Sequence, residues 1–100
     1  MNFSRTTKDD AVVLKIEGEL DSTTAPDLRP TLDALAAEQP TKVIVDLSSL
    51  RLIDSSGVGA IVSLFKRIRA SGGQFQVSGV QGQPLSIFRV LRMDVVFKIE

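Results

Sequence analysis

Between Lys42 and Ile68 the chain passes from a β-branched run, through a polar turn, into a helical pattern, and this succession limits the fold more than any other stretch. Lys42-Val43-Ile44-Val45-Asp46-Leu47 is short and barely alternates. That pattern suits a central strand covered on both sides or flanked by other strands. Ser48 to Ile53 reads as a loop whose apolar members, Leu50, Leu52 and Ile53, tuck inward. From Ser56 onward Val58, Ile61, Val62, Phe65 and Ile68 recur at helical spacing, with Lys66, Arg67 and Arg69 on the other side. Ser71-Gly72-Gly73 ends that helix by the glycine route. Strands separated by helices require crossover connections, which are right-handed and make neighbouring strands parallel.

The flanking segments fit the same scheme. Asn2 to Lys8 can pair as an edge strand, and Asp9-Asp10 reads as a turn. In Ala11 to Leu20, Leu14, Ile16, Gly18 and Leu20 share one face while Lys15, Glu17 and Glu19 share the other, the period of a half-buried strand. Asp21-Ser22-Thr23-Thr24-Ala25-Pro26 is a helix start, with capping side chains ahead of a proline. Leu28, Leu32, Leu35 and Ala36 then predict a helix over about 24–38, in which Pro30 must sit in the first turn or bend the axis. Gln74 to Gly79 alternates as a strand. Gly82 to Arg92 reads as a helix with Pro84 near its first turn, and Val95 to Ile99 as a last short strand. The expectation is an α/β domain over residues 1–100 with the order β-β-α-β-α-β-α-β. Its mixed β-sheet has an antiparallel N-terminal hairpin followed by parallel strands, and its helices pack mainly on one face.

Composition narrows the function classes. The chain has no Cys and no His, which removes disulfides, thiolate metal sites, the usual general base and a Ser-His-Asp arrangement. No catalytic residue, metal site or cofactor is expected. Lys plus Arg equals Asp plus Glu at 12 each, so no electrostatic footprint for nucleic acid exists. No run approaches the ~18 apolar residues of a membrane span, and the opening lacks a signal peptide's apolar segment. A cytoplasmic protein with no direct membrane insertion is expected.

The residues that carry chemistry sit in the turn Asp54-Ser55-Ser56-Gly57-Val58-Gly59, at the amino end of the best helix. In open α/β sheets functional loops gather at the carboxyl ends of strands. A helix amino end offers free N–H groups and partial positive charge, and a phosphate brings about −1.5 to −2 charge with three acceptor oxygens. A phosphoserine is therefore tolerated there. Gly57 and Gly59 would keep the approach clear for a partner's backbone. Ser, Asp and Gly before a helix are equally ordinary capping residues, and one serine can cap while its neighbour is modified.

The chain resembles the STAS domain family and, within it, the stand-alone anti-sigma factor antagonists (anti-anti-sigma factors) of bacteria. Three pieces carry the resemblance: Gly18-Glu19-Leu20-Asp21 with Thr24-Ala25, the strand Val43 to Leu47 ending near Asp46, and Ile53-Asp54-Ser55-Ser56-Gly57-Val58-Gly59. The resemblance implies partner switching. An anti-sigma factor serine kinase would phosphorylate Ser55, with Ser56 the alternative. The unmodified protein would bind that kinase, the modified one would be released, and a serine phosphatase would reset it. Partner contact is expected from Asp21, Ser22, Thr23 and Thr24 and from Asp54, Ser55, Ser56, Gly57, Val58 and Gly59, with Ser63, Lys66 and Arg67 further along the helix. The resemblance places Asp21 near the kinase and its nucleotide; as a residue it is equally a turn or cap acid. Asp46 reads as structural, holding loop N–H groups. A monomer forming hetero-complexes is expected. The alternative is a STAS-type accessory subunit of a membrane transport or lipid-trafficking complex, members of which commonly lack the serine motif.

Overall fold

The computed structural model describes residues 1–99. In chain order the elements are β1 (Asn2–Lys8), β2 (Ala11–Leu20), α1 (Ala25–Ala37), β3 (Lys42–Asp46), β4 (Leu50–Ile53), α2 (Ser55–Ala70), β5 (Gln74–Ser78), α3 (Gly82–Val90) and α4 (Met93–Val96). The sheet runs β1-β2-β3-β5, with β4 also paired to β2. β1 and β2 form the antiparallel hairpin, and every other pairing is parallel. The mixed sheet with an antiparallel start and parallel continuation is thus the observed architecture.

Strand β2 is long because it serves two neighbours in turn. Ala11 to Lys15 pair with β3, and Gly18 to Leu20 pair with β4. The register shifts between Gly18 and Glu19, where Gly18 takes φ +91° and donates its N–H to the Ser49 carbonyl at 3.0 Å. A side chain strains that backbone, so a glycine belongs at the junction.

Leu14, Ile16, Leu20, Val43, Val45 and Val77 bury one face of the sheet against Leu28, Leu32 and Leu35 of α1 and Ile61, Leu64 and Ile68 of α2. Phe88 of α3 and Phe97 join the same core, in an aromatic cluster with Phe65 and Phe75 whose contacting ring centroids lie 5.3–5.6 Å apart, three pairs edge-on and Phe75–Phe97 tilted. The other face is polar: Lys15 and Glu17 pair there with side chains 39% and 44% exposed. Ion pairs Arg5–Glu38 and Arg67–Asp33 tie β1 to the end of α1 and α1 to α2.

Two segments differ from the sequence expectation. The stretch read as a loop over Ser48 to Ile53 contains β4, and only Leu50 and Ile53 turn inward, while Leu52 is 46% exposed. Backbone pairing to the far end of β2, invisible in a four-residue pattern, makes it a strand. The last strand expected over Val95 to Ile99 is instead the short helix α4, entered through Arg92 at φ 60°. Short β-branched runs fit either state, and here burying Phe97 among the other rings decides it. The element order is therefore β-β-α-β-β-α-β-α-α. Pro30 does not lie in the first turn of α1; it stands inside the helix. Its missing N–H leaves the carbonyl of Pro26 without the usual partner.

Candidate functional site

Leu20 and Ile53 are neighbours in the parallel register of β2 and β4, so the segments leaving these two strands emerge side by side. One is Asp21 to Thr24, leading into α1; the other is Asp54, leading into α2. The two clusters read from the sequence therefore form one surface.

Asp54 joins them. Its N–H donates to the Leu20 carbonyl at 3.2 Å. As the N-cap of α2 its Oδ1 accepts from the Gly57 N–H at 3.0 Å, satisfying an otherwise free first-turn donor. Its Oδ2 accepts from the Ser22 N–H at 3.1 Å, in the neighbouring loop.

The Asp21 loop closes on itself. Asp21 Oδ1 accepts from the N–H groups of Thr23 and Thr24 at 2.9 and 3.0 Å and from the Thr23 hydroxyl at 2.7 Å. The Thr23 hydroxyl, then the Thr24 and Thr23 N–H groups, hold the Asp21 carboxyl below the usual aspartate range. Thr24 is the N-cap of α1 but does not cap with its side chain; its Oγ1 bonds back to the Glu19 carbonyl at 2.9 Å and accepts from the Asp21 N–H. Asp46 holds the Ser48 N–H at 2.9 Å. The Ser48 side chain first, and then that N–H, keep its carboxyl below the usual aspartate range.

Ser55 and Ser56 are the first two residues of α2, both exposed. Neither hydroxyl has a hydrogen-bond partner among the described residues. Ser22, Thr23 and Gly59 are exposed too, and Asp21, Thr24 and Asp54 are half-buried. Gly57 and Val58 are buried and cannot present themselves to a partner. A Cβ on Gly57 would lie 2.6 Å from the Leu20 carbonyl oxygen and 2.7 Å from Ile53 Cγ1. The glycine lets α2 sit down on the strand ends; it does not clear an outside approach, as the sequence suggested. A Cβ on Gly59 would meet nothing within 4 Å, so that glycine does leave the surface open.

From the turn a groove of about 560 Å³ runs between α1 and α2, lined by Ser22, Arg29, Ser56, Gly59, Ser63 and Arg67 among others. Ser63 and Arg67 lie on the side of α2 the sequence pointed to, whereas Lys66 is exposed but outside the groove. Arg67 is engaged with Asp33 at 2.7 Å. Among the described residues no cluster could hold a metal ion, and no helix is long and apolar enough to cross a membrane.

One contributor was missed from sequence. Gln83, at the start of α3, places its side-chain amide against the residue before Asp54: Oε1 accepts from the Ile53 N–H at 2.9 Å and Nε2 donates to the Ile53 carbonyl at 3.0 Å. A polar residue ahead of Pro84 gives no sign of this, because the contact depends on where α3 lands.

Comparison with known proteins agrees with this fold. A family model described as STAS domain matches residues 2–100. The anti-sigma F factor antagonist of Paenibacillus polymyxa is 33% identical over 89 residues, 88% of this chain and 74% of that protein. The crystal structure of an anti-sigma factor antagonist from Mycobacterium paratuberculosis has a TM-score of 0.87 at 23% identity, over 96% of this chain and 81% of that one. The phosphorylated form of the Bacillus cell fate determinant SpoIIAA has a TM-score of 0.74 at 22% identity, over 90% and 83%. At these identities the two structures speak for the fold.

Proposed function

We infer, from the premise that this chain belongs to the STAS domain family, that it is an anti-sigma factor antagonist switched by phosphorylation of Ser55. The unmodified protein binds an anti-sigma factor serine kinase; the modified one is released, and a serine phosphatase restores it. The observation that carries the reading is Ser55 itself: an exposed, unengaged hydroxyl on the first residue of α2, directly after the Asp54 cap. The name of the Paenibacillus polymyxa relative supports the partner class.

The physics favours an interface switch over a remodelled fold. A helix amino end accommodates negative charge, so the phosphate leaves the fold in place. A dianion forced beside Asp54 into a desolvated contact meets repulsion instead. A penalty of ~4 kcal/mol weakens binding roughly a thousandfold, at about 1.4 kcal/mol per tenfold. The contact surface is the exposed part of the site: Ser22, Thr23, Ser55, Ser56, Gly59 and the Ser63 side of α2. The free protein is a monomer in this scheme and assembles only with its partners.

Mass spectrometry after incubation with ATP and kinases from its own cells tests the reading. The label is expected on Ser55. Ser55→Ala should keep kinase binding and lose the switch, and Ser55→Asp should bind more weakly. A Ser55→Ala protein labelled as fully as the native one would move the site elsewhere.

A further inference from the structure

We propose that Gln83 is a positioning residue for the serine turn, holding Ile53 so that Asp54 and Ser55 are presented in one fixed place. The functional part of this proposal rests on the Ser55 reading above.

Strand β4 is four residues long and pairs with β2 on one side. At its last residue the backbone alternates: the Asp54 N–H points to β2 and bonds the Leu20 carbonyl, so both polar groups of Ile53 point the other way. In a wider sheet a sixth strand would take them. Here one side chain does, since the Gln83 amide meets the Ile53 N–H at 2.9 Å and its carbonyl at 3.0 Å. A primary amide has one acceptor and one donor side by side, so it reproduces the pairing of a strand edge. Ile53 is 3% exposed, and groups left unpaired there would suffer the full loss of solvation.

The next residue is the cap of α2, whose carboxylate reaches both Gly57 and Ser22. Gln83 thus stands at the head of a chain of contacts: amide to Ile53, Ile53 to Asp54, Asp54 to the start of α2 and to the loop before α1. A second glutamine, Gln81, the N-cap residue of α3, donates its side-chain N–H to the Ser48 carbonyl at 3.0 Å, so the start of α3 braces the chain on both sides of β4.

The chemistry of the amide gives a test that a merely space-filling residue would not answer. In Gln83→Glu the carboxylate still accepts from the Ile53 N–H but sets an oxygen against the Ile53 carbonyl. Protonation restores a donor. Amide hydrogen-exchange protection is measured in the native protein, Gln83→Ala and Gln83→Glu. Ile53 and Gly57 are the reporters, and Leu14 and Leu35 stand for the core. At neutral pH both variants should lose roughly tenfold in protection at the reporters, the size expected for one or two hydrogen bonds, with the core unchanged. On acidification through the glutamate range, about pH 4 to 5, only Gln83→Glu should regain it. Unchanged reporters, a loss shared equally with the core, or no recovery in Gln83→Glu would overturn the proposal. Ser55 labelling by kinases from its own cells with ATP should slow in both variants at neutral pH, and labelling at the native rate would overturn the functional part. Native protein that takes no label at Ser55 would instead refute the phosphorylation reading, while the amide measurement still judges Gln83.

Discussion

A Cβ on Gly57 would approach the Leu20 carbonyl oxygen to 2.6 Å, whereas one on Gly59 meets nothing within 4 Å. The two glycines of the turn therefore respond oppositely to alanine. Gly57→Ala pushes α2 off the strand ends and should destabilise the protein by about 1–3 kcal/mol, the usual range for overpacking. Gly59→Ala adds helix propensity at an open position and should stabilise by about 0.5–1 kcal/mol. Urea midpoints of the two variants decide this, and a shift of the same sign in both would refute it. At this scale the sequence revealed the Asp-Ser-Ser-Gly turn and the structural duty of Asp46, because each is local. It did not separate the two glycines, nor disclose Gln83, because those roles come from contacts with residues far along the chain.

The elements differ in how much of their state is written locally. Helix α2 was legible because it is long, periodic and capped, although Leu64, fully inside, lies off the stripe read from sequence. β4 and α4 have four residues each, too few for periodicity to speak, and their states follow from pairing with β2 and from burial of Phe97. Helix α1 carries a defect of its own. Pro30 is exposed in its interior and withholds one hydrogen bond. Alanine there restores the bond and better propensity, worth up to about 3 kcal/mol, offset by about 1 kcal/mol of freedom returned to the unfolded chain. Pro30→Ala is expected to raise stability by about 1–2 kcal/mol in thermal or urea unfolding. A lowered midpoint would mean that the freedom the proline removes from the unfolded chain outweighs the missing bond.

For the molecule as a whole, the mixed sheet and the single covered face were readable, since both rest on alternation in β2 and on helices placed between later strands. The long-range stitching that completes the sheet was not. The response to acid is set by three carboxylates, two held by local contacts and one by an ion pair from β1 to the end of α1. Asp21 and Asp46 are held below their ordinary 3.8 by the Thr23–Thr24 and Ser48 contacts, and Glu38 below its ordinary 4.5 by Arg5. Each group is lowered in the folded state, so its contribution is complete above the ordinary value and is lost as pH falls through the folded one. Stability should be level down to about pH 5 and decline below about pH 4. Asp46→Asn should flatten part of that decline, and an unfolding midpoint unchanged at pH 3 would contradict it. The Asp54 carboxylate has a consequence of a different kind. It works as a rivet through two plates: whatever pulls it from Gly57 also loosens Ser22. A binder gripping only the Ser22 side would therefore feel an event at the serine without ever touching it.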